Sequence, residues 1–312
     1  MTHRHTPDPG ALAGTLSDAL DQEVHVQMLK PVAGGDSHKA LQMVTDRGDW
    51  FIKWNDQGAL PAFRAEQAGL EALAAAVQPA AAHSRAKAMT PPAGRDLLIP
   101  LPVALGNDEH HAWLILPWLQ LQAGGDAERL ARGLLQVHRH QDKNFGWQQD
   151  SYLGASRQCN SPHTDWAEFW WQCRMLPQLE QASARGHGQY LGPRITALEQ
   201  ATRSLLNHEP LPSLLHGDLW GGNHGYCPDG MPVIFDPACY HGDRETDLAM
   251  MRLFGGFDPQ VLDSYLSSWP LPPGAGTRCD LYQGYHLLNH LNLFGGGWLA
   301  RVEQCIDAIL RH

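Results

Sequence analysis

Residues 216–223 read His-Gly-Asp-Leu-Trp-Gly-Gly-Asn, and a short apolar run downstream, Val233-Ile234-Phe235, ends in Asp236. This pairing constrains the chain more than any other feature. Phosphoryl transfer needs a carboxylate near the attacking hydroxyl and oxygen ligands for a metal ion, gathered in space. The pattern H-x-D-x-x-x-x-N sets base and ligand at the required interval. His216, Asp218 and Asn223 keep it, and Asp236 stands where a second metal ligand ends a strand. His, Gly, Asp and Asn are also turn residues, so the octapeptide alone fits a solvated turn equally well. The second aspartate, and a lysine upstream in an apolar segment, weigh against the turn.

At 312 residues and 43% hydrophobic content, the chain can bury a sizeable core as one large domain or two lobes. A net charge of −10 argues against a nucleic-acid surface. No stretch reaches the roughly 18 apolar residues that a membrane span needs. The polar start, residues 1–10, lacks the apolar centre of a signal peptide. The expectation is a cytoplasmic protein with neither nucleic acid nor membrane as partner. None of the 6 cysteines forms C-x-x-C, and none of the 18 histidines forms H-E-x-x-H. Reduced thiols and structural or surface histidines are therefore expected. The Walker A, G-x-S-x-G and G-x-G-x-x-G patterns are absent, which weighs against P-loop ATPases, common serine hydrolases and dinucleotide oxidoreductases.

Periodicity divides the chain. Residues 11–21 suggest a first helix, while 24–29, 39–45 and 50–54 suggest strands, with a turn at 46–49. Residues 63–77, rich in Ala, Leu and Glu, suggest a strong helix. Strands are expected over 97–105 and 113–116. Beyond Pro117, helical spacing runs through 127–138, 166–181, 194–206, 245–253, 259–269, 278–293 and 302–310. The expected fold class is α+β. A small N-terminal antiparallel sheet lobe (1–116) and a hinge (117–120) precede a larger, mainly helical lobe (121–312).

The chain resembles the fructosamine-3-kinase (ketosamine kinase) family, bacterial type, within the protein-kinase-like and aminoglycoside-phosphotransferase-like superfamily. The matching segments are 215–223, 233–237, 242–250, 253–257, Asn144-Phe145-Gly146-Trp147 and 287–297. His-Gly-Asp is superfamily-wide; the Leu219-Trp220 extension and Asn289-His290-Leu291-Asn292-Leu293-Phe294-Gly295-Gly296-Gly297 are more specific. The resemblance, spanning residues 24–311, implies a two-lobed kinase fold with ATP in the cleft and Mg2+ at the phosphates. It also implies phosphorylation of O3 of a ketosamine, carried by a small molecule or a glycated protein, which labilises the adduct and frees the amine. The bacterial branch favours ribulosamine and erythrulosamine over fructosamine.

Within that frame Lys53 is the candidate phosphate-gripping lysine. Its apolar neighbours Trp50, Phe51, Ile52 and Trp54 argue against a surface lysine. Glu66, matching the family's F-x-A-E pattern, is its partner, with Glu71 as rival. Gly34 and Gly35 sit between two strands, where backbone N–H groups can approach phosphates. The backbone of Leu116, Pro117, Trp118 and Leu119 would pair with adenine. Asp218 is the candidate base, and Asn223 and Asp236 the magnesium ligands. His216 and Asp247 are structural, bracing and anchoring the loop. Trp220 either packs against the acceptor sugar or belongs to the core. His286, Asn289, His290 and Asn292 either bond sugar hydroxyls or stitch a helix to loops. Two further functions compete: a kinase with an aminoglycoside, choline or homoserine acceptor, and a non-catalytic nucleotide-binding scaffold.

Overall fold

Alternating apolar and polar side chains over residues 39–56 require a sheet with a covered face. A computed structural model, describing residues 6–33, 38–77 and 94–312, contains that sheet. Helix α1 (Pro9–Leu20) starts where the Asp8 carboxylate accepts the Ala11 N–H at 2.9 Å, with a proline in the first turn. Strands β1 (Val26–Val32), β2 (Lys39–Thr45) and β3 (Gly48–Asp56) form an antiparallel meander, followed by α2 (Leu60–Val77). Strands β4 (Ala104–Asn107) and β5 (His111–Pro117) complete a five-stranded sheet in the order β1-β2-β3-β5-β4. Trp50, Ile52 and Trp54 of β3 pack with Leu12 and Leu16 of α1 and with Met43, Trp113 and Ile115. The intervening Lys53 turns to the other face and meets α2. No strand covers 97–105 as a whole. Pro100 and Pro102 lack ladder donors, so regular pairing begins at Ala104 and Leu98 makes only an isolated bridge to Val233.

Next come α3 (Ala127–Arg139), capped by Asp126, and the hairpin β6 (Ser151–Leu153) and β7 (Ser156–Gln158). The continuous helix expected over 166–181 is interrupted. It consists of α4 (Trp166–Trp170), a π turn (Trp171–Met175) and α5 (Leu176–Ala182). Pro177 has no N–H for the carbonyl of Cys173, four residues earlier, and that carbonyl accepts from Arg174 Nη1 at 2.9 Å instead. A second π turn (Ser183–His187) carries Gly186 at φ 101° and leads to α6 (Gly188–Leu191) and α7 (Ile195–Leu205). Strands β8 (Ser213–Leu215), β9 (His224–Tyr226), β10 (Pro232–Ile234) and β11 (Tyr240–Gly242) pair as β8 with β11 and β9 with β10. Helices α8 (Glu245–Phe254), α9 (Pro259–Ser268), α10 (Ala275–Phe294) and α11 (Leu299–Ile309) follow.

Packing gathers the chain into two compact units. Met1–Gly125 joins Gly225–Phe235, and Asp126–His224 joins Asp236–His312. In the first, Leu98, Met231 and Val233 form a small apolar cluster with Leu119, Cys227 and Phe235 against it. In the second, Trp166, Phe169, Trp170, Tyr240, Tyr282 and Tyr285 anchor a large core. Two buried acidic side chains there are paired. Arg278 grips Glu245 at 2.7 and 2.9 Å, and Asp243 accepts from Tyr282 at 2.6 Å. Among the described residues no helix is long and apolar enough to cross a membrane.

Leu12 is fully buried under the sheet. Leu12→Ala is expected to lower the stability of the first unit by about 2–5 kcal/mol. Met28→Ala, at a side chain 50% exposed, should stay within about 0.5 kcal/mol of wild type. Urea unfolding followed by tryptophan fluorescence measures both.

Candidate active site

The site begins with backbone constraint. Gly217 has φ 80°, and a Cβ there would stand 2.2 Å from the Ala238 carbonyl oxygen. Only glycine fits. The chain can then turn so that the N–H groups of His216 and Gly217 reach the Asp247 carboxylate at 2.8 and 2.9 Å. His138 Nε2 lies 3.2 Å from the same carboxylate. Burial alone would raise the pKa of Asp247. The hydrogen bond and charge of His138, the charge of His216 and the Gly217 N–H hold it below the ordinary carboxylate value. His216, fully buried, accepts the Asp218 N–H at Nδ1 at 3.2 Å.

This bracing aims the chemical groups. Asn223 Nδ2 donates to Asp218 Oδ2 at 3.0 Å and to the Asp218 carbonyl at 2.9 Å, and lies 3.5 Å from the Asp236 carbonyl. Asp218 and Asn223 are thus joined side chain to side chain, and the Asp236 backbone lies beside them. With its amide nitrogen so engaged, Asn223 has Oδ1 left for a cation. Asp236 sits at φ 59°, a left-handed conformation uncommon for a side-chain-bearing residue and often found at functional sites. Carboxylate and amide oxygens are the hard donors that magnesium prefers, so this set fits such an ion.

In the first unit, Lys53 Nζ contacts both oxygens of Glu66 at 2.8 and 2.9 Å, and both side chains are buried. Lys53 lies within β3, opposite Leu114 of β5, rather than at the strand's end. Glu71, the rival, accepts from Gln67 on the exposed side of α2. Leu116 and Pro117 pair with Phe51 and Trp50 in the sheet. The Trp118 N–H donates to Asp49 at 3.2 Å, and Leu119 packs against the Leu98–Val233 cluster. Gly34 and Gly35 lie outside the described residues.

The four acceptor candidates on α10 separate. Asn289 Oδ1 accepts from Gln178 at 3.2 Å, and Asn292 donates to the Gln178 carbonyl and side chain at 2.9 and 2.6 Å. Both are buried and stitch α10 to α5. His286 is also buried. His290 turns outward into a half-buried aromatic group, 4.9 Å from Phe254 and 4.7 Å from Trp298. Trp220 meets that group edge-on at Phe254, 6.2 Å away, and its ring lies over Gly222. Phe254 and Trp298 were not among the expected site residues. Their signal was present, since each lies beside a glycine-rich turn in a matching or adjoining segment.

A model of the fructosamine kinase family matches residues 10–312. A Synechocystis sp. protein named "Probable ketoamine kinase" is 35% identical over 304 residues, covering 96% of each chain. A crystal structure of a Haemophilus somnus protein, provisionally named fructosamine-3-kinase, has a TM-score of 0.84 at 26% identity over 96% of this chain and 97% of that one. Aminoglycoside phosphotransferase APH(4)-Ia, solved with AMP-PNP and hygromycin B, has a TM-score of 0.59 at 15% identity over 96% and 98%. That last likeness concerns the fold, which is protein-kinase-like.

Burial, aided by His290 and Arg174, pushes His286 down to about 3 from 6.5, against the opposing pull of Asp247. The unfolded ring therefore takes up a proton first. The stabilising contribution is complete above pH 6.5 and is lost as pH falls from 6.5 towards about 3. Replacing His286 by Gln should shrink the stability difference between about pH 7.5 and about pH 5 by about 2 kcal/mol. Urea unfolding at the two pH values measures it.

Proposed function

Because the chain belongs to the fructosamine kinase family, we propose that it transfers the γ-phosphoryl group of ATP to the 3-hydroxyl of a ketosamine. As a member of that family it is an ATP-dependent phosphotransferase. The observation that carries the reading is the hydrogen-bonded gathering of Asp218, Asn223 and Asp236 on a loop pinned by Asp247.

Asp218 orients the acceptor hydroxyl and takes its proton as the oxygen attacks the γ-phosphorus and ADP leaves. Asp236 and Asn223 Oδ1 would hold Mg2+, which would offset the charge of the phosphates. Lys53, fixed by Glu66, neutralises the α- and β-phosphates. The first unit, with residues 117–120 as hinge, receives the nucleotide. Adenine would lie beside Leu119 and the Leu98–Val233 cluster, with the Leu119 backbone pairing its edge. The Trp118 N–H is already bonded within the sheet lobe.

Trp220 and His290, brought together through Phe254, are the acceptor residues that face outward. An aromatic face suits the C–H surface of a sugar. Ribulosamine, erythrulosamine and fructosamine adducts are the substrate candidates, on small amines or on protein. Phosphate at C3 leaves more readily than hydroxide, so phosphorylation leads to release of the amine. Such a repair activity belongs in the cytoplasm, where reducing sugars and proteins meet.

The test is ADP release from ATP with synthetic ribulosamine, erythrulosamine and fructosamine, beside aminoglycoside and choline controls. Turnover confined to ketosamines is expected. Turnover with only the controls would overturn the reading. Asp218→Asn should lower kcat by about 10²–10⁴-fold with ATP affinity retained. Lys53→Met should raise the KM for ATP.

A further inference from the structure

Two cysteines on separate elements of the second unit meet at a cavity. Cys159 follows β7, and Cys173 lies in the π turn between α4 and α5. Their sulfur atoms are 3.5 Å apart, the Cys173 thiol donating to Cys159. A disulfide requires about 2.05 Å, so closure needs only about 1.5 Å of approach. Both thiols line a cavity of about 310 Å³ together with Asp150, Arg157, Arg174 and Tyr285.

Arg174 holds the pair in place. It is fully buried, and its Nη1 donates to the carbonyls of both cysteines, at 2.5 Å to Cys159 and 2.9 Å to Cys173. Its Nη2 donates to Asn160 Oδ1 at 2.8 Å. Among the described residues it has no carboxylate partner. Aromatic faces surround it instead, Tyr240 at 4.0 Å and Phe169 at 4.6 Å. Its positive charge is offset only by dipoles and ring faces. A second guanidinium, Arg157, stands at the cavity paired with Asp150 at 2.5 Å.

We propose that Cys159 and Cys173 form a thiol–disulfide exchange site, oxidised to an intrachain disulfide by a small anionic disulfide of the glutathione type. The cavity opens beside the partly exposed Cys159, and its wall carries two guanidinium groups against one carboxylate, Asp150, a net positive charge that favours an anionic disulfide. The thiols differ in a way that orders the steps. Burial would raise Cys159, but hydrogen bonds from Ser161 and Cys173 hold it below the ordinary thiol value. Burial pushes Cys173 up to about 12. Cys159 therefore supplies the attacking thiolate. Its sulfur bonds to one sulfur of the oxidant, whose S–S bond breaks and whose other half leaves as a thiolate with the electron pair. That thiolate takes the Cys173 proton. The Cys173 sulfur then attacks Cys159 Sγ and expels the second half as a thiolate, which takes up the proton that Cys159 released on ionising. Two protein thiols are oxidised and one disulfide is reduced to two thiols.

The test incubates the full chain with glutathione disulfide and reads intact mass and cysteine-mapped peptides. Wild type should lose two hydrogen atoms, retain no glutathione and show a Cys159–Cys173 cross-link. Cys173→Ser should keep one glutathione on Cys159. Cys159→Ser should carry neither cross-link nor adduct at Cys173. Glutathione retained on wild-type Cys159, a disulfide mapped to Cys279 and Cys305, or unchanged thiols throughout would each overturn the proposal. The wild-type map decides on its own should a serine variant fail to fold.

Discussion

The carboxylate of Asp247 accepts two backbone N–H groups of the 216–223 loop and faces the His138 ring, all in the interior of the helical unit. Hydrogen bonds to a charged group contribute about 1.5–3 kcal/mol each, enough in sum to offset the cost of burying one charge. His138 in turn contacts the Tyr265 hydroxyl at 2.7 Å, which ties α3 to α9. The loop is thus fixed to three helices through one side chain. Remove that carboxylate and the N–H groups of residues 216 and 217 lose their acceptor, while Gly217 keeps a backbone conformation with no reward. The positions of Asp218 and Asn223 depend on this anchor.

Much of this was legible because spacing and chemistry coincide. Asp218 and Asn223 lie five residues apart, and the loop that joins them closes on itself through the Asn223 amide. The Lys53–Glu66 pair could be read because strand alternation placed the lysine on the face of β3 that α2 covers. The asymmetry was harder. The apolar run 50–54 places Lys53 near a strand's end, yet the strand continues to Asp56 because Asn55 and Asp56 still pair with Ala112 and His111.

What escaped the sequence has physical causes. Helical spacing over 166–181 is real, but Pro177 removes one donor, and its effect appears upstream at the carbonyl it fails to meet. On α10, spacing places residues 286, 289 and 290 on one face and cannot distinguish outward from inward. Asn289 and Asn292 turn inward because Gln178, in α5, offers both a donor and acceptors to them. His290 escapes that fate because its ring finds Phe254 and Trp298. The asparagine choices depend on a partner more than 100 residues away in the chain, which no local pattern carries.

Two buried cations show how differently a fold can hold positive charge. Lys53 has a carboxylate at 2.8 Å, so the pair is nearly neutral until a stronger anion competes for the ammonium. Arg174 has carbonyls, one amide oxygen and aromatic faces, which orient toward charge without cancelling it. The first arrangement suits a phosphate that arrives and leaves, since Glu66 keeps the ammonium in place in the interval. The second leaves a positive charge in the wall of a cavity, where it opposes but does not overcome the burial that pushes Cys173 up to about 12. The guanidinium that clamps the two cysteine carbonyls therefore fixes the backbone of the pair, while the hydrogen bonds of Ser161 and Cys173 hold Cys159 below the ordinary thiol value.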